Sequence, residues 1–191
     1  SYIAMQLDLS SHAEGEEQAK ASALVALLTP IAKAFFSDLG FQSTVLGQQV
    51  FGGHGYIREW GQEQLVRDTR IAQIYEGTNG VQSMDLIGRK LAANRGEYLK
   101  VFVAEVKTFI AENPQEELSE FINPLNEAID DLAKVSTEIL QAAATDPNEL
   151  GSAACDYLHI FGYTAMAYVW VKMAKTSLAA MERDKDFHQA K

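Results

Sequence analysis

The stretch Leu118-Ser119-Glu120-Phe121-Ile122-Asn123-Pro124-Leu125-Asn126-Glu127-Ala128-Ile129-Asp130-Asp131-Leu132 continues its apolar pattern through Val135 to Ile139-Leu140. The spacing is close to 3.6 residues, the period of an amphipathic α-helix. Pro124 lies early in the pattern, so it either starts the ordered helix or kinks it. Thr145-Asp146-Pro147-Asn148 ends it.

The same helical period extends in both directions. Toward the N-terminus, Tyr98, Phe102, Val106, Phe109 and Ile110 predict a helix that stops before Asn113-Pro114. Toward the C-terminus, a helix over about Glu149–Arg183 is apolar on most sides through Tyr168, Val169, Trp170 and Met173. It is expected to be the most buried of the three, with the polar end Asp184–Lys191 frayed. Asn94-Arg95-Gly96 marks a boundary, dividing the chain into residues 1–93 and 94–191. In the first part, Ser1–Ser10 reads as the end of a helix, with a polar break at Ser11-His12-Ala13-Glu14-Gly15. A long helix follows from about Glu16 to Gly47, with Leu24, Leu27, Leu28, Ile31, Phe35, Leu39 and Leu46 at steps of three, four and seven, and Pro30 expected to bend it. Gly52-Gly53-His54-Gly55 ends that helix, and Glu63–Arg70 suggests a short one. No region is rich in strand signals, and no internal repeat occurs. The expected fold is all-α: an antiparallel helical bundle followed by an additional helical extension.

Composition narrows the function. An apolar share of 47% is enough for a core, and 9% aromatic residues argue against a disordered tail. A net charge of -10 repels nucleic acid and anionic membrane surfaces, so neither is expected as a partner. The most apolar stretches, near Ala21–Leu28 and Ala153–Ala174, are too short or too interrupted to predict membrane insertion. A single cysteine, Cys155, excludes an internal disulfide and fits the reducing cytoplasm; its apolar helical surroundings suggest buried packing. His12, His54, His159 and His188 are scattered, and no spacing suits a metal. Tyr157, Tyr163, Tyr168 and Trp170 are expected to pack. Asp130-Asp131 and Glu116-Glu117 are expected to be solvated faces.

The chemistry is concentrated in Ile74-Tyr75-Glu76-Gly77-Thr78-Asn79. Here one carboxylate sits on a glycine-containing turn just before a helix. Thr78 is a good N-cap, and Val81, Met84, Leu86 and Ile87 carry that helix to about Leu91. Backbone N–H groups at a helix start are unpaired and can bind a partially negative oxygen. A base beside such donors is what removing a proton next to a carbonyl requires. The plain alternative is that Glu76 simply favours the positive end of the helix dipole.

Gln49-Val50-Phe51-Gly52-Gly53-His54-Gly55-Tyr56, then Arg67-Asp68, then the Glu76 turn, closely resemble in order and spacing the C-terminal domain of the acyl-CoA dehydrogenases. The specific match runs from about Leu28 to Leu91. It is most similar to the larger bacterial enzymes with an added C-terminal helical region, which include broad-range fatty acyl-CoA and 3-methylmercaptopropionyl-CoA dehydrogenases. The family order is helical, β and helical domains, so the chain is expected to be a fragment of a longer protein. The resemblance implies that Glu76 takes the α-proton of an acyl-CoA thioester while hydride passes to FAD. It implies that the Glu76 N–H helps hold the thioester oxygen. Burial raises a carboxylate base toward that task. The resemblance also assigns Gln49, Gly52 and Gly53 to the FAD of a neighbouring subunit. Thr78 and Asn79 are assigned to FAD contacts, and Tyr75 and Gly77 to the substrate pocket. Where the medium-chain pattern has a glutamine two places after the threonine, this chain has Gly80, a departure at one implied cofactor contact. His54 is read as a turn residue, and Arg67-Asp68 as a structural pair bracing the turn. Electron-transfer flavoprotein is the implied electron acceptor, and a homodimer or homotetramer the implied assembly. An acyl-CoA oxidase is the nearest enzymatic alternative; a non-catalytic helical oligomerisation module is the alternative from another class.

Overall fold

The computed structural model describes residues 2–181, so the polar end at 184–191 lies outside the described residues. Helix α1 spans Tyr2–His12 and α2 Gly15–Val50. Short 3-10 turns at Gly52–Tyr56 and Arg58–Trp60 lead to α3 (Gln62–Arg70). A further 3-10 turn, Ile71–Gln73, precedes α4 (Asn79–Met84), which widens into a π-helical segment over Asp85–Ala92. Helices α5 (Glu97–Ala111), α6 (Glu116–Thr145) and α7 (Asn148–Ala180) complete the chain. No strand occurs among the described residues. The fold is all-α, as the periodicity predicts.

The core does not stop at the 93/94 boundary. Leu24, Leu27, Leu28, Ile31 and Phe35 of α2 share one cluster with Leu86, Ile87, Phe102, Val106, Leu125, Ile129, Leu132 and Phe161. Contacts of α2 run to α1, α3, α4, α5 and α7, so it is the central helix. By length and composition α2 is long and apolar enough to cross a membrane, where the stretch near Ala21–Leu28 alone read as too short or too interrupted; its buried leucines make it the core helix of this bundle. The helix continues through the buried Pro30. Toward its C-terminal end burial fades, and Leu46 is exposed although it fits the apolar spacing.

Local signals set the ends of the elements. Arg95 and Gly96 both take positive φ values (56° and 74°), which turns the chain between the two parts. The Asn94 side chain then accepts the Tyr98 N–H at 2.7 Å and so closes the first turn of α5. Helix α6 runs unbroken from Glu116 through Pro124, the ninth residue of the helix, where the missing N–H leaves the Glu120 carbonyl without its intrahelical donor. Its two-residue connection, Asp146-Pro147, turns α7 back against it.

Two expectations for α7 are corrected. Its buried positions are Ala154, Tyr157, Leu158, Phe161, Gly162, Thr164, Tyr168 and Val171, a stripe along one side. Tyr163, Trp170 and Met173 lie off that stripe and are exposed, so the helix buries one side although its composition is apolar on most sides. Cys155 is exposed for the same reason. Of the apolar positions expected after Thr78, Val81 and Met84 of α4 are exposed, whereas Leu86, Ile87 and Leu91 of the following π-helical segment are buried.

A polar cluster joins the two parts of the chain. Glu105 of α5 accepts hydrogen bonds from Tyr2 of α1 and, at 3.0 Å, from Tyr168 of α7, and pairs with Lys20 of α2 at 2.9 Å. Burial pushes the Glu105 carboxyl up, but the bonds from Tyr2, Lys20 and Tyr168 outweigh it and hold the group below the usual carboxylate range. Burial, reinforced by this anion, raises the hydroxyls of Tyr2 and Tyr168.

Candidate active site

The chain approaches Glu76 in 3-10 conformation, closing with the Tyr75 N–H bonded to the Ile71 carbonyl at 3.1 Å. Glu76 (φ 57°) and Gly77 (φ 83°) then adopt left-handed backbone in succession. Glycine takes this geometry freely; a glutamate holds it only where its surroundings enforce it. Thr78 restarts the helix, its Oγ1 accepting the Val81 N–H at 3.4 Å, as the N-cap reading predicts. Between these points the N–H groups of Glu76 and Gly77 have no acceptor among the described residues.

Gln82 braces the turn from one helical turn further on. Its Nε2 donates to the Glu76 carbonyl at 3.0 Å, and a Cβ on Gly77 would lie 2.9 Å from that nitrogen. No motif singles out Gln82; its only signal is a position that brings a long amide back over the loop preceding the cap. The Glu76 side chain is exposed, and so are Tyr75, Gly77 and Thr78. These four residues form a continuous open rim.

The side chain of Asn79 is turned away from that rim. Its Oδ1 accepts from Lys33 Nζ at 2.9 Å, while Nδ2 donates to Asp38 Oδ1 at 2.6 Å and the Ala34 carbonyl at 3.2 Å. The side chain is thus engaged by α2, leaving the backbone N–H of Asn79 as the group open to a ligand.

Gln49, Gly52 and Gly53 occupy a second location, at the far end of α2, where the 52–56 turn packs on α2 and α3. All three are exposed, and a Cβ at Gly52 or Gly53 would meet nothing within 4 Å. The crowded glycine of this run is Gly55, where a Cβ would fall 2.4 Å from the Gln48 carbonyl. Gln48 Nε2 in turn donates to the Gly55 carbonyl at 3.2 Å. His54 stacks edge-on against Trp60, consistent with its reading as a turn residue. Around this end Leu46, Val50, Tyr56 and Trp60 are exposed apolar side chains.

Arg67 and Asp68 do not pair with one another. Adjacent residues on a helix point apart, so Arg67 meets Glu63 at 3.9 Å and Asp68 accepts from Gln64 at 2.6 Å, each one turn away. Among the described residues no group of three or more metal-ligating side chains assembles.

Residues 4–92 match the family described as "Acyl-CoA dehydrogenase, C-terminal domain", and residues 102–191 match "Acetyl-CoA dehydrogenase C-terminal like". The gap between the two matches contains the Asn94–Gly96 turn. The 3-methylmercaptopropionyl-CoA dehydrogenase of Ruegeria pomeroyi is 31% identical over 97% of this chain and 32% of its own length. A butyryl-CoA dehydrogenase of Syntrophomonas wolfei is 37% identical over 55% of this chain and 17% of its own length. A broad-specificity linear acyl-CoA dehydrogenase of Mycobacterium tuberculosis is 25% identical over 86% of this chain and 29% of its own length. The chain thus spans about a third or less of the length of these relatives.

Proposed function

Because the chain belongs to the acyl-CoA dehydrogenase family, we propose that its Glu76 turn is the base-bearing wall of a flavin site that desaturates an acyl-CoA thioester between its α and β carbons. The observation that carries this reading is the pairing of an open carboxylate with open N–H groups on the same left-handed turn. Glu76 removes the α-proton, and the N–H of Glu76 donates to the thioester oxygen as negative charge grows there. Tyr75 and Gly77 border the thioester. When bound, FAD supplies the acceptor for the β-hydride.

The residues present fit such a cofactor. The open space at Gly52 and Gly53 admits a ligand against the backbone, and the exposed Gln49 amide offers both a donor and an acceptor. Thr78 and the Asn79 N–H stand at a helix start suited to phosphate or ribose oxygens. Because the 49–53 segment packs apart from α4, we place it on the flavin of a neighbouring subunit. The exposed Val50, Tyr56 and Trp60 beside it favour a homodimer or homotetramer that would cover them. Electron-transfer flavoprotein is the proposed acceptor and the cytoplasm the proposed compartment. A carboxylate open to water is too weak a base for an α-carbon, so substrate and the remaining walls of the longer protein must enclose Glu76.

The test is Glu76→Gln in the full-length protein. FAD content and acyl-CoA binding should be retained while turnover falls by at least ~10²–10⁴-fold, the contribution of a general base. Retention of more than about a tenth of the rate would put the base elsewhere. Absence of flavin absorbance from the full-length protein would favour the non-catalytic module instead.

A further inference from the structure

We propose that Asp38 is the positioning residue of the Glu76 turn, one carboxylate oxygen fixing both ends of the loop that presents the base. The proposal rests on the reading of Glu76 as that base. Gln73 and Asn79 stand immediately before and after the segment 74–78. Gln73 Nε2 and Asn79 Nδ2 both donate to Asp38 Oδ1, each at 2.6 Å. The chain therefore leaves this oxygen and returns to it across five residues, two of them left-handed.

The surroundings of Asp38 fit this task. It lies on α2, the central helix, one residue past Ser37 and three past the fully buried Phe35, so its backbone is fixed by the core. Bonds from neutral amides to an ionised carboxylate are short and strong, and two on one oxygen set a direction as well as a distance. Lys33, one turn earlier on α2, holds the opposite end of the Asn79 amide, so that side chain cannot rotate away. The second oxygen, Oδ2, lies 3.6 Å from His159 Nε2 on α7. That ring is itself held through Nδ1 at the Cys155 carbonyl, 2.9 Å away. The C-terminal helices thus reach the carboxylate that holds the catalytic turn, although they contribute no residue to the rim.

Left-handed backbone at a glutamate persists only where neighbouring structure over-determines it. Here the constraints are Asp38 at both ends of the loop and Gln82 on the Glu76 carbonyl. Removing the Asp38 oxygen takes a 2.6 Å bond from each end of the loop at once, leaving Asn79 held by Lys33 and the Ala34 carbonyl and Gln73 by Arg70, so the aim of the Glu76 carboxylate at the α-carbon loosens.

The experiment is Asp38→Ala and Asp38→Asn in the full-length protein, each alone and in the Glu76→Gln background. Asp38→Ala should lower kcat per bound flavin by about 10–100-fold, the cost of a misplacement near 1 Å, with KM for acyl-CoA little changed. The isotope effect on kcat with α-deuterated substrate should rise, because proton abstraction becomes slower. Asp38→Asn, which keeps one acceptor oxygen, should fall between Ala and wild type. Added to Glu76→Gln, Asp38→Ala should cost nothing further. Unchanged kcat per flavin and isotope effect in Asp38→Ala, with Glu76→Gln inactive, would overturn the positioning role and leave the base assignment standing. An active Glu76→Gln would overturn the base assignment and the positioning role with it. Loss confined to melting temperature or flavin content would also overturn the proposal. Should Asp38→Ala fail to fold, Gln73→Ala, which removes one of the two arms, is read by the same criteria.

Discussion

Gly162 of α7 lies directly against the ring of Phe35 of α2, so close that a Cβ at position 162 would fall 2.5 Å from two ring carbons. Phe35 is fully buried and also meets the ring of Tyr163 edge-on at 4.9 Å. This contact sets how near the C-terminal helices approach the central one. Gly162→Ala should therefore destabilise the protein by about 1–3 kcal/mol, the usual cost of overpacking, despite the better helix propensity of alanine. Denaturant unfolding at constant m-value measures it; equal or greater stability would show that Phe35 can yield.

Burial along α6 and α7 separates two substitutions that composition alone would rank together. Leu132 is fully buried, whereas Trp170 is 63% exposed. Leu132→Ala should cost about 2–5 kcal/mol. Trp170→Ala should change the stability of the chain by no more than about 0.5 kcal/mol. A larger effect of Trp170→Ala that depends on protein concentration would mean that a second chain covers it.

Glu105 links stability to pH. Its folded-state carboxyl is held below the usual range, so the unfolded chain binds protons more readily, and the contribution is present above the ordinary carboxylate pKa of about 4.3. It is lost as pH falls through the lower folded value. Glu105→Gln should thus lose about 1–3 kcal/mol near neutrality, the scale of hydrogen bonds to a charged group. The difference from wild type should shrink below about pH 4. Unfolding curves across pH 3 to 7, ~10-fold per unit in proton activity, check this; a constant difference would assign the effect to packing.

Much of the helical order was legible because the stripes of α2, α5 and α6 obey one period: Leu24 to Phe35 and Leu125 to Leu132 are buried where spacing places them. The same logic misjudged α7, where Trp170 and Met173 are as apolar as Phe161 but face outward, and only packing distinguishes them. It also passed over the π-helical widening at Asp85–Ala92, which leaves no compositional mark. At the site, Thr78 was legible as a cap because its role is local. Asp38 and Gln73 were not, because the Asp38 partners lie 35 and 41 residues away in sequence and the contacts exist only once the 71–79 segment docks on α2; Gln82 was not, because its bond to the Glu76 carbonyl exists only once the left-handed turn has formed.

Gly77 offers the sharpest local check on the proposed role of the Glu76 turn. At φ 83° an alanine is strained by roughly 1–3 kcal/mol. Its Cβ would also press on Gln82 Nε2, the group that holds the Glu76 carbonyl. Both effects act on the turn and neither reaches the core, since every residue from 74 to 78 is exposed. In the full-length protein Gly77→Ala should therefore lower kcat by about 10–100-fold through misplacement of Glu76, while global stability falls by no more than that local strain. Adding Gln82→Ala relieves the contact but leaves the backbone strain, and removes the brace as well, so the double variant should not regain wild-type turnover. Steady-state turnover per bound flavin decides the matter. A Gly77→Ala protein with wild-type kcat would show that the left-handed turn is not the geometry in which the base works.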